Sequence, residues 1–272
     1  MSESLSNKRL MCDAKTPDEA KKYLVLCNRI MANEGILDGL GHVSIRNPNN
    51  PETFFQSCSQ APEFVSMDDI MEIALDGTVI RDIEGKKPYG ERFLHGAVLN
   101  VRRDISVVYH GHPLSVIPFS VCRDIPMLPV MNYGSIFYSG FGYFDSDDAS
   151  TGMLINSLRE GEKVSEAIGD KYACLLRGHG VVTVAENIPQ LVIDTIWLIH
   201  NAKVQLDCLA IGGNPKCCTK EEGYALRQFI HGENALSRCW NYYWGRVKKA
   251  MPDIKDLQII CVAEEVYCES GA

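Results

Sequence analysis

The chain has 272 residues, 46% hydrophobic and 23% charged, with 27 Lys plus Arg against 35 Asp plus Glu and a formal net charge of −8. That supports a substantial core in one large domain or two small ones, and the acidic balance argues against a phosphate-tracking nucleic-acid surface. No run approaches the roughly 20 apolar residues of a membrane span, the opening MSESLSNKRLMCD lacks a signal-peptide core, and the 11 cysteines are scattered with no C-x-x-C pair. The expected setting is cytoplasmic, with no membrane partner and with cysteines serving as buried small hydrophobes.

TPDEAKKYLVLCNRIMANEG predicts the first helix. Thr16 can cap it, Pro17 fits the first turn, Glu19 supplies a capping box, and Gly35 is the stop. GLGHVSIRN reads as a glycine turn leading into a short strand. NPNNPET is a turn cluster and TFFQSCS a second strand. SMDDIMEIALDGTVI reads as an Asp-rich turn, a strand, an Asp-Gly hairpin turn and another strand. Residues 88–101, PYGERFLHGAVLNV, predict a helix with Phe93, Leu94, Ala97, Val98 and Val101 as its apolar stripe.

ISVVYHGH is a strand, and SVIPFS begins a short helix or turn. The aromatic, Gly-rich segment to Phe144 mixes strand and loop. LINSLREGEKVSEAIG holds one or two short helices. KYACLLRGHGVVTVAE predicts a strand, a tight Gly-His-Gly turn and a second strand. NIPQLVIDTIWLIHNAKVQLDCLAIGG is a long helix, apolar nearly all round and therefore buried. Residues 220–250 read as a last helical region. With no internal repeat and no linker, the chain reads as one α/β domain over 16–250, with an N-terminal extension 1–15 and a tail 251–272. The expected architecture is a three-layer α/β/α arrangement with a central, mostly antiparallel sheet.

The stretch VVYHGHP carries the chemistry. Alternation sends His110 and His112 to one face of a strand, with Gly111 opposite. Two imidazoles so placed can converge on one metal ion, although an H-x-H pair can equally be polar strand-end residues. A third ligand is needed. His42 lies in the early glycine turn, His95 on a helix, His200 inside the apolar helix as a core histidine, and His231 on a polar, surface helix. His179, between Gly178 and Gly180 at the end of an apolar strand, is the best placed. Three neutral imidazoles would leave coordination positions open, as a catalytic metal requires.

GLGHVSIRN, SMDDIMEIALDG, GERFLHGAVLNVRRDISVVYHGHP and LLRGHGVV, in that order and with similar spacing, resemble the class II aldolase/adducin family over most of residues 20–212. The resemblance implies an α/β/α fold and a homotetramer with active sites at subunit interfaces. It also implies one divalent metal ion per subunit: zinc, manganese, iron or cobalt. The implied metal ligands are His110, His112 and His179, and the implied catalytic carboxylate is Glu91, which would move a proton. The family chemistry is metal stabilisation of an enolate formed on breaking a carbon–carbon bond. Without that resemblance, Glu91 reads first as a solvated residue in a helix first turn.

Sugar-phosphate members usually show a G-N-x-S segment and a Ser-Ser or Thr-Ser pair before the Glu. Here GHVS spans residues 41–44, and Tyr89-Gly90 precede Glu91. The altered positions resemble the branch that decarboxylates aromatic or heteroaromatic acids. His42, Ser44, Arg46, His95 and Tyr242 are then candidates for binding a carboxylate substrate. Arg46 could pair with it bidentately, and the WNYYWGR aromatics could close over a planar ring or simply pack. The first reading is a metal-dependent lyase, most often a decarboxylase of a non-phosphorylated hydroxy or aromatic acid. The second is an aldolase releasing a small aldehyde. A non-catalytic adducin-like binding protein is disfavoured because all three histidines and Glu91 are retained.

Overall fold

The computed structural model describes residues 13–254 and Leu257. The capped N-terminal segment forms helix α1 (Pro17–Asn33), with Thr16 accepting from the Glu19 N–H. The Glu19 carboxylate reaches past the cap to the Lys15 N–H at 2.7 Å. The strands are β1 (His42–Asn47), β2 (Asn50–Ser57), β3 (Ile70–Ala74), β4 (Val79–Arg81), β5 (Val107–Gly111), β6 (Gly142–Phe144), β7 (Ala173–Leu176) and β8 (Gly180–Ala185). They form one eight-stranded sheet in the order β4-β3-β2-β1-β5-β8-β7-β6. Every pairing is antiparallel except β6 with β7.

The other helices are α2 (Arg92–Val101), α3 (Ile117–Val121), α4 (Leu158–Ile168), α5 (Ile188–Ala210), α6 (Lys220–Ile230) and α7 (Glu233–Ala250). Strand alternation sorts the core into two layers. Val43, Ile45, Phe55, Val107, Tyr109 and Val181 face α1, α5 and α7. Phe54, Met71, Ile73, Val108, Val182 and Val184 face Leu94 and Val98 of α2 and Val164 and Ile168 of α4. The result is the expected three-layer α/β/α architecture with a mostly antiparallel sheet.

Several local expectations change. The helix read over residues 88–101 starts only at Arg92, with Glu91 as its N-cap residue. Val101, placed in the apolar stripe by periodicity, is exposed at the last turn. Strand β2 begins at Asn50, so the NPNNPET turn shrinks to Pro48-Asn49. The last helical region is two helices, broken at His231-Gly232. Residues 1–12 of the N-terminal extension and most of the 251–272 tail lie outside the described residues.

Two histidines also change places. His200, expected in the core, is exposed on α5. His231, expected at the surface, turns inward and meets the buried Asp194 of α5 at 2.9 Å. Arg227 of α6 meets the same carboxylate at 3.2 Å and lies over the Tyr172 ring at 3.5 Å. Burial would raise the Asp194 carboxyl, but the charges of His231 and Arg227 outweigh it and hold it below the usual carboxylate value. A depressed carboxyl contributes stability above its unfolded value, near pH 4. That stability is lost as pH falls through the folded value. Asp194→Asn is expected to cost about 3–5 kcal/mol at neutral pH by leaving Arg227 buried without its counter-charge. Urea unfolding will measure this, with exposed Asp170→Asn unchanged and the Asp194→Asn deficit shrinking below about pH 4.

Candidate metal centre

His110 points from β5 into the α2 layer and is fully buried. Its Cα register partner across the sheet is His42 on β1. His112 follows one residue beyond the end of β5. The residue between them must be glycine for a steric reason. A Cβ at Gly111 would lie 2.2 Å from the Tyr109 phenol oxygen, which donates to the Ile36 carbonyl at 3.1 Å.

A second close approach delivers His179. Gly178 has φ +62°, the left-handed region that favours glycine. A Cβ at Gly180 would sit 2.2 Å from the Gly111 carbonyl oxygen. The two backbones can therefore touch where β8 starts and β5 ends. The His179 ring stacks on His112 with centroids 5.1 Å apart and meets His110 edge-on at 4.8 Å.

Glu91 completes the cluster from the N-cap of α2. Its Oε1 accepts the Ile155 N–H at 2.9 Å and lies 3.8 Å from His179 Nε2. Its Oε2 lies 3.4 Å from His110 Nε2 and 3.7 Å from His42 Nε2. Glu91, His110, His112 and His179 each offer one ligand atom, and these atoms all lie within 4.8 Å of one another.

Groups behind the histidines orient their rings. His110 Nδ1 is 3.2 Å from the Val181 carbonyl, which leaves Nε2 for the cluster. His112 Nδ1 faces the Asp38 carboxylate at 3.6 Å, which likewise turns Nε2 inward. Such partners fix the tautomer of a metal-ligating histidine. Asp38 is itself held by accepting the Leu40 and Gly41 N–H groups.

The electrostatics suit a cation. Burial pushes His42 and His179 down to about 4 and lowers His112 as well, with His110 adding to the effect. These imidazoles are therefore neutral near pH 7, the form that binds metal. Burial alone would raise the Glu91 carboxyl, but its contacts with His110 and His42 outweigh that and hold it well below the usual carboxylate range. His110 Nε2 and His179 Nδ1 are buried with no hydrogen-bond partner. A buried polar atom without a partner is costly, and a divalent cation in this pocket would relieve that cost at His110 Nε2, the nitrogen that faces Glu91. The donor set of three imidazoles, with the Glu91 carboxylate beside it, fits zinc, manganese, iron or cobalt.

The residues singled out as substrate binders fall into three places. His42 joins the cluster beside Glu91, with the Tyr89 ring 4.5 Å from its own. Ser44 and His95 are fully buried behind it. Ser44 Oγ lies 2.7 Å from His95 Nδ1, and His95 Nε2 lies 2.7 Å from His42 Nδ1. These two side chains reach the cluster only through His42.

Arg46 sits at the other end of β1. Its guanidinium donates to the carbonyls of Leu99, Arg102 and Ile105 at 2.6–3.4 Å and to that of Pro51 at 2.7 Å. It therefore caps the C-terminal end of α2 and is not directed at the histidines. Tyr242 is exposed on α7 beside Tyr243 and Arg246, while its neighbours Trp240 and Trp244 are core. Sequence reading missed Asp38, the Ile155 N–H and the packing of Tyr89. Of these only Asp38 carried a signal, as an acidic turn residue three positions before Gly41.

Purified protein is expected to hold about one divalent transition metal per chain by elemental analysis, and His110→Ala to reduce this to trace. Asp38→Asn is expected to weaken metal affinity about tenfold in chelator competition. Unchanged affinity would remove Asp38 from the support of His112.

The class II aldolase and adducin N-terminal domain matches residues 22–206. The 3,4-dihydroxyphthalate decarboxylase of Arthrobacter keyseri is 28% identical over 239 residues, covering 85% of this chain and 95% of that protein. The L-fuculose phosphate aldolase of Methanocaldococcus jannaschii is 26% identical over 189 residues, covering 69% of this chain and 96% of that protein. An aldolase II superfamily protein from Pseudomonas syringae superposes with TM-score 0.75 at 21% identity, over 90% of this chain and 98% of that one, a likeness of fold. The matched domain, the sheet that carries the histidines and the relatives agree: the chain belongs to the class II aldolase and adducin family.

Proposed function

We propose that this protein is a divalent-metal-dependent carbon–carbon lyase that decarboxylates a non-phosphorylated, hydroxylated carboxylic acid, most simply an aromatic one. The lyase class rests on the family and on decarboxylase and aldolase relatives. One observation carries the choice of decarboxylation. The side chains at positions 42, 89 and 90, where sugar-phosphate members place a phosphate cradle, offer no free hydroxyl or amide beside Glu91. Position 42 is a buried imidazole, the Tyr89 phenol donates to the Gln60 carbonyl, and Gly90 has no side chain.

His110, His112 and His179 would hold the cation, which when bound supplies Lewis-acid stabilisation of negative charge on the substrate. Glu91, ionised at rest, accepts the proton of the substrate's hydroxyl group. The bond to the carboxylate then breaks, carbon dioxide leaves, and the electron pair stays on the ring carbon. Glu91 returns its proton to that carbon, and the product's oxygen regains one from water. The Ile155 N–H holds one oxygen of Glu91 in place, which leaves Oε2 as the oxygen that carries the proton. The assembly that fits the family is a cytoplasmic homotetramer with this cluster at a subunit interface, where a neighbour's residues would close over the substrate.

A panel of hydroxylated aromatic and aliphatic carboxylic acids, each with zinc, manganese, iron or cobalt, is expected to include a substrate that releases carbon dioxide. Glu91→Gln should lower that rate by ~10²–10⁴-fold while the bound metal is kept. If no acid releases carbon dioxide and a hydroxy-ketone yields an aldehyde, the aldolase reading replaces this one. The comparable identity of the Methanocaldococcus jannaschii aldolase keeps that alternative in view.

A further inference from the structure

Met153 is the only non-glycine among the described residues with a left-handed backbone, at φ +70°. It directly follows Gly152, which is left-handed as well at φ +62°. A residue with a Cβ pays for that conformation, whereas glycine adopts it freely. Strain of this kind clusters at ligand sites, and the position of Met153 in the fold leads to one.

The segment that carries Met153 ends on the metal centre. Two residues on, the Ile155 N–H donates to Glu91 Oε1 at 2.9 Å. On the other side Asp148 pins the turn: its carboxylate accepts from the Ser150 N–H and hydroxyl, and its carbonyl accepts from the Thr151 hydroxyl. With both ends tied, the Met153 side chain reaches Gly178, the residue before His179. Its sulfur and the Val121 Cγ1 lie 4.0 and 3.7 Å from the point that a Cβ on Gly178 would occupy. The Gly178 N–H also donates to the Ser120 hydroxyl at 3.0 Å, which fixes the end of α3, and Val121 with it, at the same place. Val121 and Met153 are thus two apolar walls at the rim of the centre, and Gly178 puts no side chain between them. Both leave apolar surface exposed.

We propose that Met153 is a specificity-determining residue. Its thioether, opposite Val121, forms an apolar wall beside His179 against which the ring of an aromatic hydroxy acid lies. Sulfur–aromatic contacts are favourable, so the site prefers ring-bearing acids to aliphatic acids with the same chelating group. This rests on the reading of the metal centre as the place where a hydroxylated carboxylic acid binds.

The test titrates the zinc-loaded full chain calorimetrically with two probes, 2-hydroxybenzoate and 3-hydroxybutanoate. Both carry the hydroxyl two carbons from the carboxylate carbon, and only the first has a ring. The wild type is expected to bind 2-hydroxybenzoate more tightly. Met153→Ala should weaken that probe about threefold to tenfold, the size of one sulfur–aromatic contact. Binding of 3-hydroxybutanoate and of zinc should change less than about twofold. Met153→Gly relieves the left-handed backbone, so it should unfold at a urea concentration no lower than wild type and show the same loss of preference. A wild type without the preference, or either variant weakening both probes alike, overturns the proposal. Binding needs no turnover. If the preference depends on Met153 and no acid yields carbon dioxide, the role of Met153 stands and only the decarboxylase reading falls.

Discussion

The site depends on the contact between two backbones at Gly111 and Gly180. There the end of β5 and the start of β8 come so close that a Cβ on Gly180 would overlap the Gly111 carbonyl oxygen at 2.2 Å. The register that follows, Gly111 with Val181 and His110 with Val182, carries His179 to the mouth of the β5 strand. On its other side β5 pairs with β1 and sets His42 opposite His110. Three strands thus fix four imidazoles, and α2 adds the carboxylate from its N-cap. A bulkier residue at either glycine would part the strands and enlarge the cluster, while most of the apolar core would be untouched.

The polar content of this region runs against the rest of the fold. Between the sheet and α2 the side chains are mainly leucines, valines and isoleucines with Phe54 and Met71, yet His42, Ser44, Gln56 and His95 are buried among them. Each buried polar group costs about 1–3 kcal/mol when its partner is missing. The pairing of Ser44, His95 and His42 offsets that cost. The buried Asp194, with Arg227 and His231, is another such concentration. There the ionic contacts tie α5 to α6 and its C-terminal end, and among the described residues no cluster of ligand atoms accompanies them.

Much of the fold was legible. The β-branched run of ISVVYHGH, the glycine turn that opens GVVTVA, the capped opening of TPDEAKK and the apolar length of the α5 segment named their elements. Boundaries were less legible where local signals compete. The helix read over residues 88–101 starts only at Arg92, because periodicity does not register that Tyr89 is held elsewhere by the Gln60 carbonyl. His200 and His231 were exchanged between core and surface, since a histidine's burial depends on whether a partner such as Asp194 lies across from it.

The sequence by itself determined that an H-x-H pair on a strand would share one face, and that glycines on both sides of His179 permit a sharp, close turn. Those are consequences of local geometry and of a missing Cβ. Only the tertiary structure decided which other groups meet them. It placed Glu91 against His110, put Asp38 behind His112, stacked Ser44 and His95 in a line behind His42, and took Arg46 away to the end of α2. Each of those outcomes depends on strand order and on residues distant in the chain, which no local pattern encodes.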